Sequence, residues 1–84
     1  MGTFDKWNEF ANKNCLVIIH HKIFDAHQYD CDALQVINDE DRIGVVIKGK
    51  ELFMYKQDVA YSWEHANTYT VQDDMMTITI VNKM

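Results

Sequence analysis

The chain contains no proline and only three glycines, at positions 2, 44 and 49. Without proline there is no rigid linker and no proline-rich tail. Three scattered glycines cannot build a phosphate-cradling loop. Cysteine is scarce too. Cys15 and Cys31 are too few for a secreted disulfide framework and read as free, buried thiols of a cytoplasmic protein. Long apolar runs are missing: the longest, Cys15 to Ile19, falls far short of the ~20 residues of a spanning helix. The first ten residues lack the basic start and apolar stretch of a secretory signal, and Lys6 stands where a myristoylation motif wants Ser or Thr. The expectation is a cytoplasmic protein without membrane attachment.

Basic residues are outnumbered, 8 against 13 acidic, for a net charge of −5. That weighs against broad nonspecific nucleic-acid binding, which needs many phosphate-neutralising side chains, and leaves room for a local basic rim. What is present is an ordinary globular composition, 48% hydrophobic and 25% charged over 84 residues. One domain of this size buries a modest core and has no room for a deep cleft with a cofactor, so none is expected. Association with further copies would add stability and enlarge any site.

Phe4, Trp7, Phe10 and Ala11 recur at three-to-four spacing, which predicts an N-terminal helix over residues 1–14. Thr3 is its candidate cap, Asp5 lies in its first turn, and Asn12 to Asn14 end it. The rest reads as strand. CLVIIHHKIF, DALQVIN, RIGVVI, ELFMY and VAYSW are separated by polar turns at Asn38–Asp41, Lys48–Lys50 and Lys56–Asp58. Gly49 suits a tight hairpin turn, and Gly44 is a candidate bend. A final hairpin turns at Asp73–Asp74, with Met76, Ile78 and Ile80 alternating against threonines as a half-buried strand. A helix followed by six or seven short strands suggests a mainly β fold, a small barrel or strongly bent sheet. A βαβ arrangement would need a second, crossover helix, and no segment supplies one.

Catalytic patterns are weak. His20, His21, His27, Asp30, Cys31 and Asp32 cluster in sequence, yet consecutive strand residues point to opposite faces and no paired C-x-x-C motif accompanies them. No metal site is expected. Ser62, Cys31 and His65 lack any nucleophile signature, and the paired carboxylates of NDED and QDD sit in turns that use them for backbone hydrogen bonds. A non-enzymatic protein follows. The better signal is Arg42, Lys48, Lys50 and Lys56 interleaved with Phe53, Tyr55, Tyr61 and Trp63. Aromatics beside lysines suit single-strand stacking, although Phe53 and Trp63 read more readily as core.

Three segments, FDKWNEFANKNCLVIIHH, ALQVINDED and VVIKGKELFMYKQDVAYS, together resemble the Sm-like family of small RNA-binding barrels. The resemblance covers about residues 4 to 63 and implies a strongly bent five-stranded SH3-like barrel over 15–63. It leaves residues 64–84 as an extra C-terminal hairpin of the same single domain. It also implies a closed homo-oligomeric ring of about six or seven subunits binding single-stranded RNA. Carried over, the site is Tyr55, Lys56 and Gln57, where the family has tyrosine-lysine-histidine, with Asn38 and Asp39 as the opposite wall. A second register of the same motif places the pocket on Lys48, Gly49 and Lys50. The rival expectation is a non-catalytic protein-interaction module using the same barrel.

Overall fold

The structure is a computed structural model, and residues 4–83 are described. It is mainly β: the described residues form eight antiparallel strands in two open sheets. β1 (Cys15–His21), β2 (His27–Cys31), β6 (Tyr61–His65), β7 (Thr68–Gln72) and β8 (Met76–Asn82) form a five-stranded sheet in the order β2-β1-β8-β7-β6. β3 (Gln35–Asn38), β4 (Arg42–Ile47) and β5 (Lys50–Tyr55) form a three-stranded meander. Every paired neighbour is consecutive in the chain except β1 and β8, which join the two ends of the sequence. The two places where consecutive strands do not pair, β2/β3 and β5/β6, are where the sheets part.

The strand content agrees with the sequence. The single closed five-stranded barrel does not: β1 to β6 divide between two sheets that do not close, and four strands keep a free edge. The C-terminal hairpin is no appendage, because β8 runs between β1 and β7. Its alternation is as expected, with Met76, Ile78 and Ile80 buried. β2 is a strand that the sequence did not announce. HQYDC has no apolar alternation because it is an edge strand with mostly exposed side chains.

The N-terminal helix is a correction. Of residues 4–14, Asp5–Phe10 alone is helical, and as a 3-10 helix. Phe4, Trp7 and Phe10 are spaced by three, which lines one edge of a helix with 3.0 residues per turn. Ala11 is already extended, and Asn12 takes the left-handed φ of 63° that an asparagine there accommodates. The expected cap, Thr3, lies outside the described residues.

One core cluster draws on both sheets: Val17 and Ile19 of β1, Ile43, Val45 and Ile47 of β4, and Val71, Ile78 and Ile80 of the β7–β8 hairpin. Trp7 ties the layers together. It is fully buried, its ring meets Tyr69 of the larger sheet edge-on at 5.2 Å, and its indole N–H donates to the Gly44 carbonyl of the smaller sheet at 2.9 Å. The β4–β5 hairpin turns on Lys48 and Gly49, at φ 53° and 79°, as the KGK segment suggested.

Candidate functional site

The structure separates the expected RNA site into two places. Tyr55, Lys56, Gln57, Asn38 and Asp39 gather at one end of β5. Lys48 and Lys50 lie at the other, five residue rises or about 16 Å away along the strand. The two registers therefore describe two surfaces, and no single pocket holds both.

At the first, internal bonds occupy most of the polar groups. Asn38 Nδ2 donates to the Phe4 carbonyl at 2.9 Å. Asp39 Oδ1 accepts the backbone N–H groups of Asp41 and Arg42 at 3.0 and 2.8 Å, and Oδ2 accepts from Arg42 Nε and Nη2 at 2.9 and 2.7 Å. This is an aspartate-capped β3–β4 turn. Lys56 Nζ donates to the Asp39 carbonyl at 2.5 Å and stands 5.7 Å from the Phe4 ring centre. Arg42 also reaches Glu51 at 3.5 Å and covers Phe53 at 4.8 Å. Tyr55 remains half exposed, edge-on to Phe53. Glu40, Asp41, Tyr55, Lys56 and Gln57 line the open pocket here, so two carboxylates flank one engaged lysine.

The Arg42 side-chain bond, with the backbone N–H of Arg42 next, holds the Asp39 carboxyl below the ordinary carboxylate range. A lowered folded pKa means that its stabilisation is present above the unfolded value of about 3.9 and fades as pH falls through the folded value. Asp39→Asn should therefore lower the melting temperature at pH 7, and the gap from wild type should shrink as pH drops below about 4. Paired thermal melts across that range check this; a constant gap would place the effect elsewhere.

The candidate catalytic groups do not converge. Ser62 and His65 occupy opposite faces of β6, and Cys31 lies on β2 at the far edge of the sheet. Among the described residues no group of three His, Cys, Asp or Glu side chains is placed to hold a metal ion, and no helix is long and apolar enough to cross a membrane.

The surface that sequence reasoning missed is β6. Its register places Ser62 opposite Val71 and Glu64 opposite Tyr69, both buried. The polar side of β6 thus faces the core side of the sheet. Tyr61, Trp63 and His65 face outward, opposite Gln72, Thr70 and Thr68. Tyr61 is 50% and Trp63 45% exposed, and Trp63 stacks on His65 at 5.8 Å. The alternation of VAYSW was legible, but its sense was not. An apolar side is normally the buried one, and here the edge position inverts it. The outward rows continue across the sheet from Trp63 through Thr70, Thr79 and Ile18, and from His65 through Thr68, Val81 and Leu16. Thr70 and Thr79 share a hydroxyl hydrogen bond of 3.0 Å. Among the paired residues of this face the only carboxylate is Asp30 on the β2 rim, where Lys83 neutralises it.

Fold and site together define a small two-sheet β protein with free edges and a nearly uncharged, aromatic-rimmed outer face. Comparison with protein-family models, curated proteins and solved structures finds no match for this chain.

Proposed function

We propose that the protein is a non-catalytic interaction module that self-associates through the outer face of its five-stranded sheet. The observation that carries this reading is the inverted β6, with Tyr61 and Trp63 held in solvent on a face almost free of charge, in a chain of net charge −5. Interface cores are depleted in charge and enriched in tyrosine and tryptophan. A second copy is the occupant because two uncharged faces meet without the like-charge repulsion that the rest of this acidic surface would impose.

Sedimentation velocity on the untagged chain tests it. Wild type should sediment as a dimer or larger closed assembly. Trp63→Glu should weaken association by about 2 kcal/mol or more, roughly thirtyfold in Kd, with the circular dichroism unchanged. A wild-type chain that stays monomeric at its highest soluble concentration ends the self-association reading.

A second reading, the Sm-like one, keeps single-stranded RNA at Tyr55, Lys56 and Gln57 on a homo-oligomeric ring. The half-exposed Tyr55 beside Lys56 favours it as a stacking position next to a cation. Glu40 and Asp41 in the same pocket oppose it. Titration with fluorescent single-stranded RNA separates the two: salt-sensitive binding that Lys56→Ala weakens and Trp63→Glu spares would support the RNA reading.

A further inference from the structure

The two cysteines are cross-strand partners. In the β1–β2 register Cys15 stands directly opposite Cys31, so their side chains share the inner face of the sheet. Both thiols are free. Opposed residues of an antiparallel pair have Cα atoms about 4.5–5.5 Å apart, inside the span a disulfide bridges, and Cβ atoms about 4.5–5.5 Å apart, slightly beyond the ~3.5–4.5 Å of a disulfide. A shift on the order of 1 Å closes the gap. Among the described strands β2 pairs with β1 alone, so it can make that shift without breaking a second ladder.

Access is asymmetric. Cys15 is fully buried, and its thiol donates to the Phe10 carbonyl at 3.7 Å. Cys31 is partly exposed and lines an open pocket with Tyr29, Asp30, Asp32 and Lys48. One thiol can meet a small reagent and the other waits behind it, which is the arrangement of an attacking and a resolving cysteine.

We propose that Cys15 and Cys31 form a reversible dithiol–disulfide pair, oxidised by exchange with a low-molecular-weight disulfide of the glutathione type. The Cys31 thiolate attacks one sulfur of RS–SR, forming Cys31–S–SR and releasing one RS⁻. The Cys15 thiolate then attacks Cys31 Sγ, forming the Cys15–Cys31 bond and releasing the second RS⁻. The two cysteine protons end on the two RSH molecules; two thiols are oxidised and one disulfide is reduced. Directly opposed cysteines bridge with some strain, and strained disulfides are the reducible ones, so a thiol reductant reverses the reaction. Burial raises both thiols, with Cys31 adding to the rise at Cys15, and Asp30 and Asp32 to that at Cys31; Lys83 works the other way at both, joined by Lys13 at Cys15. Exchange through the thiolate is therefore faster at pH 8 than at pH 7.

The test incubates the full chain with oxidised glutathione and follows intact mass and free thiols. The expected product has lost both thiols, carries no glutathione, maps to a Cys15–Cys31 peptide pair and returns to the dithiol with dithiothreitol. Cys15→Ala should instead accumulate a stable glutathione adduct on Cys31, and Cys31→Ser should react many-fold more slowly through its buried Cys15. Far-ultraviolet circular dichroism checks that each variant is folded, and the wild-type result stands without them. A lasting glutathione adduct on wild-type Cys31, dimers linked through Cys31, or no reaction of the folded chain would each overturn the proposal.

Discussion

Trp7→Ala should remove a large share of the protein's stability, a larger loss than any surface substitution. The ring is completely buried and bridges the two sheets through Tyr69 and the Gly44 carbonyl. Truncating a buried tryptophan costs about 3–5 kcal/mol. At about 0.05–0.15 kcal/mol per residue, this chain holds roughly 4–13 kcal/mol in total. Trp7→Phe should keep much of the packing but lose the indole hydrogen bond to the Gly44 carbonyl, at a cost of about 1 kcal/mol. Trp63→Ala should stay within about 0.5 kcal/mol of wild type in the dissociated chain, because Trp63 is a solvent-facing edge residue. Urea denaturation followed by circular dichroism at low protein concentration ranks the three. Equal losses for Trp7 and Trp63 would mean that the two tryptophans are not divided between core and surface.

That division also marks how far the sequence could be read. β1, β7 and β8 carry a plain burial alternation, and β4 carries one interrupted by the buried Gly44, because each is paired on both sides, and their apolar side chains show it. The two-residue turn at Lys48–Gly49 and the aspartate turn at residue 73 were legible from local chemistry alone, and Asp73 does accept the backbone N–H groups of Met75 and Met76. The misread elements are the two edges of the larger sheet and the start. β2 is too polar to show its pairing, and β6 turns its aromatic side outward. The 3-10 segment imitates an α-helix because three-residue spacing satisfies both templates over so short a run. Sheet membership was not legible either. Nothing local to residues 76–82 says that they pair with residues 15–21, and that pairing makes the C-terminal hairpin central. The surroundings of the candidate site were not legible for a related reason. Asn38, Asp39 and Lys56 had the right residue types for a polar pocket, but their partners, Phe4 and Arg42, are fixed by the fold.

Gly44→Ala should be nearly as damaging as loss of Trp7, although it adds a single methyl group. A Cβ built at Gly44 lies 2.1 Å from the Leu52 carbonyl oxygen, 2.5 Å from Phe53 Cα and 2.7 Å from Phe53 Cβ. Two of these atoms are backbone of the neighbouring strand, so no rotamer change relieves the overlap. β4 and β5 must separate locally, which loosens their six-residue pairing and shifts the carbonyl that receives the Trp7 N–H. Overpacking of this kind costs roughly 3 kcal/mol or more when the surroundings cannot yield. Gly49→Ala is the matched comparison. Its φ of 79° disfavours any side chain, at about 1–2 kcal/mol, but the space around it is open. Thermal melts should therefore show a modest downward shift for Gly49→Ala and a broad or absent transition for Gly44→Ala. Because the clash and the lost hydrogen bond act on one strand, combining Gly44→Ala with Trp7→Phe should cost less than the sum of the two single losses. A Gly44→Ala protein that melts with wild-type cooperativity would show that β4 and β5 do not approach this closely, and the anchoring of Trp7 on β4 would have to be redrawn with them.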